Sequence, residues 1–164
     1  MNAILSVAQD WGIGKDNQLL FHLKEDMKRF RALTSGGTVI MGRRTLETLP
    51  DGNPLAGRRN IVITHDRDFV REGAEIAHSV EAALALVDVS ADDVWVMGGG
   101  SVYASMLSRC KMVYLTRVEA VIPGTDTFFP NLDKLAAWKI VSQSEPVEEN
   151  GLVYRYVEYL NLNL

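Results

Sequence analysis

The sequence predicts a single α/β domain whose sheet is mostly parallel and closes with an antiparallel hairpin. Three observations predict it. Continuous apolar runs bounded by glycine and polar residues are typical of strands that are covered on both faces. Helical patterns lie between those runs, and the end of the chain changes to alternating strands around a turn. The 164 residues suit one domain, which we expect to span 1–164.

Strands are predicted at the apolar runs 3–8, 38–42, 60–64, 94–98 and 112–116. Alternating stretches follow at 139–145 and 152–159, and Asn150-Gly151 between them is a strong hairpin signal. One helix is predicted where Leu23, Met27, Phe30 and Leu33 recur at helical spacing, which places these four on its apolar face. Ser79 precedes a second helix at 80–87, and a third at 101–107 follows a glycine triplet.

Composition narrows the function classes. The formal net charge of −4 argues against a nucleic-acid-binding protein, whose domain is normally basic. Cys110 is the only cysteine, and the three histidines lack metal-ligand spacing, so we expect no disulfide and no metal site. We see neither a basic leader nor an apolar run of membrane length, which predicts a cytoplasmic protein, expected to be a monomer.

Among the acids of the first helix, Asp26 is the one that we expect to be partly buried, because it flanks the apolar face beside Met27. One interpretation is electrostatic, since acids in a first turn offset the helix dipole. The other is a lone carboxylate in an apolar cleft, with a raised pKa, that binds a protonated heterocycle or delivers a proton. The segment 11–21, with Gly12, Gly14 and large apolar side chains, is a candidate lid or a plain connector.

Two strand-to-helix junctions suit phosphate. Gly42-Arg43-Arg44-Thr45 offers guanidinium groups at a helix start, and Met97-Gly98-Gly99-Gly100-Ser101 lets the backbone approach a ligand. Each is also consistent with a tight structural turn, and neither is a known phosphate motif. Thr64-His65-Asp66-Arg67 follows another strand; its positive charge suits a ribose 2′-phosphate and hence NADP, whereas Asp66 would suit the hydroxyl of NAD.

In order along the chain, these segments resemble the dihydrofolate reductase family. The matching blocks are Ile13-Gly14-Lys15-Asp16-Asn17, Leu23-x-x-Asp26-x-x-x-Phe30, Val39-Ile40-Met41-Gly42-Arg43-x-Thr45, Pro54-Leu55-x-Gly57-Arg58-x-Asn60, Met97-Gly98-Gly99-Gly100-Ser101-Val102-Tyr103, Tyr114-Leu115-Thr116 and Gly124-Thr125-Asp126-Thr127-x-Phe129-Pro130. The resemblance implies a mostly parallel eight-stranded sheet with about four flanking helices. It also implies NADPH-dependent reduction of dihydrofolate to tetrahydrofolate in one-carbon metabolism, with antifolates as expected inhibitors.

The resemblance implies site roles. Asp26 would bind the pterin amino group and N3, and Thr116 would hold this carboxylate. Arg58 would pair with the α-carboxylate of the folate glutamate. The remaining substrate-site residues implied are Leu5, Ser6, Met27, Phe30, Leu49, Leu55 and Met97. Phe21 stands in the catalytic site where many relatives have tryptophan, Lys24 replaces a frequent proline, and Ser101 stands where some relatives carry arginine.

The cofactor roles that the resemblance implies fall into three groups. Contacts to the nicotinamide half are Ser6, Ile13 and Thr45, and Gly14, Asn17 and Thr127 are cofactor contacts that the resemblance assigns to no particular group. Contacts to the adenosine phosphates are Arg43, Arg44, Thr64 and His65, and Gly42 beside them is a further cofactor contact. Contacts to the pyrophosphate are Gly98, Gly99, Gly100, Ser101, Val102 and Tyr103. Residues 11–21 would be a mobile loop, with Asp126 as its partner in closure.

Two alternatives stay open at this point. A reductase that shares this fold and acts on a riboflavin precursor is the nearer one, although Asp26, Phe30 and Arg58 favour folate. A nucleotide-binding regulatory module without catalysis is the other; the acidic net charge counts against it.

Overall fold

The computed structural model describes residues 1–164 and is built on one large sheet. Its strands run in the order β10-β12-β8-β1-β7-β4-β5-β6, with β11 paired to β12 outside this path. Their bounds are β1 (Asn2–Val7), β4 (Thr38–Gly42), β5 (Arg59–Ile63), β6 (Ala74–Ala77), β7 (Val94–Val96), β8 (Met112–Val118), β10 (Trp138–Gln143), β11 (Val147–Glu149) and β12 (Leu152–Asn161). A small second sheet contains β2 (Gly12–Lys15), β3 (Gln18–Leu19) and β9 (Thr127–Phe128).

The central pairings are parallel: β1 lies between β7 and β8, and β4 lies between β7 and β5. The last strands are antiparallel, with β12 paired to β8, β10 and β11. The predicted α/β class, the mostly parallel sheet and the closing hairpin are therefore confirmed. The strands β2, β3, β6, β9 and β11 were not predicted, because each is four residues or shorter and carries little periodic signal.

The four helices are α1 (Lys24–Thr34), α2 (Arg43–Thr48), α3 (Val80–Ala85) and α4 (Gly100–Met106). Ser79 caps α3, because its side chain accepts a hydrogen bond from the Ala82 N–H at 3.0 Å. Single 3₁₀ turns lie at Pro50–Gly52, Leu107–Arg109 and Leu132–Lys134. No helix has the length and apolar character needed to cross a lipid bilayer.

The strands bury opposite side chains on the two faces of the sheet. In β7, Val94 and Val96 pack into the larger core cluster, whereas Trp95 packs into a smaller cluster on the other face. Phe30 and Leu33 of α1 cover that smaller cluster. A third cluster, of Ala8, Phe21, Leu23, Val118 and Tyr154, lies where the chain enters α1. The helix that carries Asp26 is thus anchored at both ends by apolar packing.

Candidate active site

Asp26 lies in the first turn of α1, where the helix crosses β8. Its Oδ1 accepts a hydrogen bond from Thr116 Oγ1 at 2.6 Å. Thr116 is only 3% exposed and is fixed in the sheet between Ser6 of β1 and Tyr156 of β12. The structure therefore brings together two residues that are 90 positions apart, and a short hydroxyl-to-carboxylate bond of this kind orients the acid.

Burial raises the pKa of Asp26 above its usual value, because removing the carboxylate from water disfavours its charged form. The hydrogen bond from Thr116 and the positive charge of Arg29 act in the opposite direction, while the nearby charge of Glu149 adds to the rise. Arg29 lies over the Tyr156 ring at 4.1 Å. Asp26 is therefore an acid with limited access to water, and its pKa depends on the charges and hydrogen bonds of its neighbours.

Apolar side chains flank Asp26 along α1 and the sheet edge. Phe30, Leu49, Leu55 and Met97 are partly buried around the smaller core cluster. Met27 is 52% exposed. By its spacing it belongs to the apolar face predicted for α1, but it is not part of any core cluster. It is left at the rim of the cleft.

Arg58 lies at the other end of α1. Its Nη1 donates to Thr34 Oγ1 at 3.1 Å and its Nε donates to the Ala56 carbonyl at 3.0 Å. It makes no ion pair within the chain. Burial, helped by the charge of Arg31, lowers its pKa. An arginine that has no carboxylate of its own is available to bind one.

The spacing along α1 measures this cleft. Asp26, Phe30 and Thr34 recur every four residues and so lie along one side of the helix. Eight residues at the helical rise separate Asp26 from the threonine that holds Arg58, which is about 12 Å. This side of α1 therefore has a carboxylate at one end, a cation at the other and an aromatic ring between them.

The two predicted phosphate junctions meet at one edge of the sheet. Because β4 and β7 are parallel neighbours, with Ile40 beside Val96, their carboxyl ends open on the same side. The Gly42 N–H donates to the Gly98 carbonyl at 2.8 Å and ties the junctions together. A Cβ at Gly98 would lie 3.3 Å from the Tyr103 ring and 3.5 Å from Thr45 Oγ1. Glycine at 98, with φ +115°, thus keeps the backbone close to Thr45.

Arg43 and Arg44 differ in what they contact. Arg43 pairs with Glu47 at 3.0 Å and with Asp66 at 2.9 Å, and its guanidinium lies 4.3 Å from the Phe69 ring centre. A backbone hydrogen bond from Asp68 and the bond from Arg43 hold the pKa of Asp66 below its usual value. Since Asp66 is engaged in this pair, it is poorly placed to accept from a ribose hydroxyl. Arg44 is exposed and carries no such pair.

The segment 11–21 folds over this edge as β2 and β3. Its turn, Asp16-Asn17, has positive φ at both residues, which fits a tight two-residue hairpin. Asp126 holds the hairpin: its N–H donates to the Gly14 carbonyl at 3.0 Å, and its Oδ2 accepts from the Asp16 N–H at 2.9 Å. Phe21, at the end of the segment, is buried in the third cluster.

Known proteins share the sequence pattern of this chain. The sequence pattern of the family described as "Dihydrofolate reductase" matches residues 1–161. The chain belongs to the dihydrofolate reductase family. A dihydrofolate reductase of Neisseria meningitidis serogroup A is 40% identical over 158 residues, covering 96% of this chain and 95% of that protein. The type 3 enzyme of Salmonella typhimurium is 38% identical over 151 residues, covering 92% and 91%.

A solved dihydrofolate reductase gives the same result for the fold. The protein from Enterococcus faecalis superposes with a TM-score of 0.83 at 32% identity, covering 98% of this chain and 95% of that one. That structure is a complex with NADP(H) and RAB-propyl. Members of the dihydrofolate reductase family are NADPH-dependent oxidoreductases. The resemblance read from the sequence blocks is thereby confirmed.

Three residues beside Asp26 were missed in the sequence. Tyr156 pairs with Thr116 across the sheet, and the guanidinium of Arg29 lies over its ring. Glu149 belonged to a predicted turn and instead reaches α1. Only Arg29 could have been found from the sequence, because a residue three positions after Asp26 in a helix lies next to it. In this dihydrofolate reductase fold, the other two depend on strand pairing.

Proposed function

We propose that the cleft between Asp26 and Arg58 is where this chain reduces dihydrofolate to tetrahydrofolate with NADPH. The reaction adds hydride to C6 of the pterin and a proton to N5. The observation that carries the proposal is the half-buried Asp26 carboxylate, held by Thr116 at 2.6 Å, on the same helix face that leads to Arg58. We infer the reaction from the family, and we infer its location from the positions of Asp26 and Arg58.

The substrate fits the cleft by charge and length. Ionised Asp26 accepts hydrogen bonds from the pterin amino group and N3, and Arg58 binds the α-carboxylate of the glutamate with two parallel bonds. Phe30, Leu49 and Leu55 contact the aromatic part between them. The separation of about 12 Å along α1 suits a pterin joined to a benzoyl group. A much shorter substrate, such as a ribosylated aminopyrimidine, would leave Arg58 unused.

The edge formed by Gly42–Thr45 and Gly98–Gly100 fits a dinucleotide. A Cβ at Gly98 would fill the space beside Thr45, so the glycine leaves the backbone open to a ligand there. Thr45, with Ser6 and Ile13, would hold the nicotinamide half, and exposed Arg44 and His65 would hold the 2′-phosphate side. When bound, NADPH supplies the hydride.

Residues of the chain promote the protonation of the pterin at N5. Asp26 raises the basicity of the pterin by placing a negative charge beside it, in a site where burial strengthens the interaction. The proton reaches N5 through water, since Asp26 faces N3. The hairpin β2–β3, pinned by Asp126, limits the entry of bulk water.

The proposal extends to the setting of the enzyme. We expect residues 1–164 to act as one domain, as a monomer in the cytoplasm. Antifolates whose heterocycle is protonated should bind at Asp26, because a buried carboxylate pairs with a protonated ring. Gel filtration of the purified chain tests the monomer, because a stable dimer would elute at twice the mass.

One assay tests the reaction. NADPH oxidation is followed by absorbance with dihydrofolate, with a ribosylated aminopyrimidine, and with no substrate, and each run is repeated with NADH. We expect rapid oxidation of NADPH with dihydrofolate only. Oxidation driven by the aminopyrimidine would assign the chain to the other reductase, and NADPH binding without turnover would make it a regulatory module.

A further inference from the structure

We propose that Glu149 is a positioning residue for the reaction, which caps the N-terminus of α1 from the hairpin β11–β12 and so holds Asp26 against Thr116. Glu149 Oε2 accepts the Lys24 N–H at 2.7 Å, and Oε1 accepts the Glu25 N–H at 3.2 Å. The residue at the usual capping position, Leu23, makes no side-chain cap. The cap of α1 therefore comes from 125 positions along the chain.

The identity of residue 24 makes this contact possible. Lys24 is the first residue of α1, a position that proline fits well because its fixed φ suits the helix. A proline there has no N–H to donate. Lysine lacks the ring that fixes φ in proline, but its N–H can donate a hydrogen bond. In this chain the carboxylate of Glu149 accepts that bond and holds the start of the helix.

Apolar packing joins the same two elements independently. Leu23 and Phe21 at the entry of α1 are buried in one cluster with Tyr154 of β12. Val147 and Leu152, on either side of the hairpin turn, pack against that cluster. The hairpin thus contacts the helix entry by side-chain packing as well as by hydrogen bonds, which fixes its distance from the first turn.

This arrangement acts on Asp26 because the capped N–H groups belong to the two residues before it. The first turn of α1 cannot shift without breaking them, and the Thr116 bond of 2.6 Å leaves little tolerance. The Glu149 pKa is lowered by the two backbone bonds, so its charge is present at neutral pH. That charge raises the pKa of Asp26, against Thr116 and Arg29, while the phenols of Tyr154 and Tyr156 also face this acid.

The inference rests on the proposed function, and four substitutions and one double variant test it. Glu149→Ala removes both acceptors, whereas Glu149→Gln keeps one acceptor and loses the charge. Glu148→Ala is the matched control, since Glu148 is exposed, lies one residue away and has no hydrogen bond or ion pair through its side chain. Lys24→Pro removes one donor and presets the helix start, and it is combined with Glu149→Ala.

We expect kcat of Glu149→Ala to fall about three- to tenfold, because a lost cap loosens the first turn and small displacements of a catalytic group are costly. KM for NADPH should stay unchanged, Glu149→Gln should recover part of kcat, and Glu148→Ala should match the wild type. In the Lys24→Pro background the same Glu149→Ala change should cost less. NMR titration of the Asp26 carboxyl should show its pKa lowered in Glu149→Gln.

Equal kcat in Glu149→Ala and Glu148→Ala would overturn the proposal, as would an equal loss of kcat from Glu149→Ala with and without Lys24→Pro. An Asp26 pKa that is the same in Glu149→Gln and Glu148→Ala would also overturn it, and this readout needs no turnover. Failure of the proposed function shows differently: the wild type would then not oxidise NADPH with dihydrofolate, or Asp26→Asn would retain normal turnover, whatever the titration of the Glu149 variants.

Discussion

The substitution Asp26→Asn separates the charge of this residue from its shape. Asparagine has the same size, and its amide oxygen can still accept the Thr116 hydroxyl that lies 2.6 Å from Oδ1. What is lost is the negative charge beside the bound pterin. The variant should therefore fold and bind NADPH like the wild type while failing at the chemical step.

The expected size follows from the role of Asp26. A positioned acid or base contributes about 10²–10⁴ in rate, and here water rather than Asp26 delivers the proton. We therefore expect kcat at neutral pH to fall about 10²–10³-fold, or about 3–4 kcal/mol in the barrier. The residual activity should rise as pH falls, because the variant depends on pterin that is already protonated in solution.

The same change should not destabilise the fold. Burial makes the pKa of Asp26 higher in the folded state than its ordinary value of 3.8. The contribution of this group to the free energy of unfolding is therefore fully present below pH 3.8 and is lost as the pH rises through the higher folded pKa. Asparagine has no such loss, so above that window the melting temperature of the variant should equal or exceed that of the wild type.

Single-turnover mixing of dihydrofolate with the NADPH-loaded enzyme measures the chemical step, and NADPH fluorescence measures cofactor binding. Thermal unfolding at several pH values checks the stability. A turnover rate within about threefold of wild type at neutral pH would refute the role assigned to Asp26, given the rate factor expected for such a group. Loss of NADPH binding would instead show that the substitution disturbs the fold or the cofactor edge.

Three further substitutions test the rest of the site. Arg58→Leu should raise KM for dihydrofolate about 30-fold or more, since losing one partner of a buried charge pair costs about 2–5 kcal/mol, while KM for NADPH is unchanged in the same steady-state assay. Thr116→Val removes the hydroxyl that stabilises the charged form of Asp26, so the pKa of Asp26 should rise and kcat should fall about tenfold; a pH titration that matches wild type would contradict this. Tyr103→Phe leaves the buried Ile4 carbonyl, which now accepts the phenol at 2.8 Å, without its partner, so thermal unfolding should show a melting temperature lower by about 2–10 °C.

The long elements were predictable because their signals are local. The run 38–42 coincides with β4, and Ser79 caps α3 as its position implied, since apolar runs and capping residues act on their immediate neighbours. The short strands were missed for the converse reason. β2 and β3 exist because Asp126 binds their hairpin from a distant loop, and β6 because β5 offers it a partner.

The residues of the site were mostly visible in the sequence, but their relations were not. Asp26 and Arg58 could be assigned opposite ends of a ligand only through the family resemblance. Arg43, expected to serve a phosphate, is held by Glu47 and Asp66 in this structure. Charge pairs between distant elements carry no periodic signal, so the sequence alone could not show which of Arg43 and Arg44 is paired within the chain and which is free to bind a phosphate.

The sequence by itself determined the α/β class, the positions of the main strands along the chain and the presence of an acid at the start of the first helix. Apolar periodicity and turn residues are properties of neighbouring positions, and they survive without a structure. Only the tertiary structure decided that this acid faces Thr116, lies half buried and has its helix capped by Glu149. Those contacts join residues 90 to 125 positions apart, and burial changes a carboxylate only after the fold has removed the water around it.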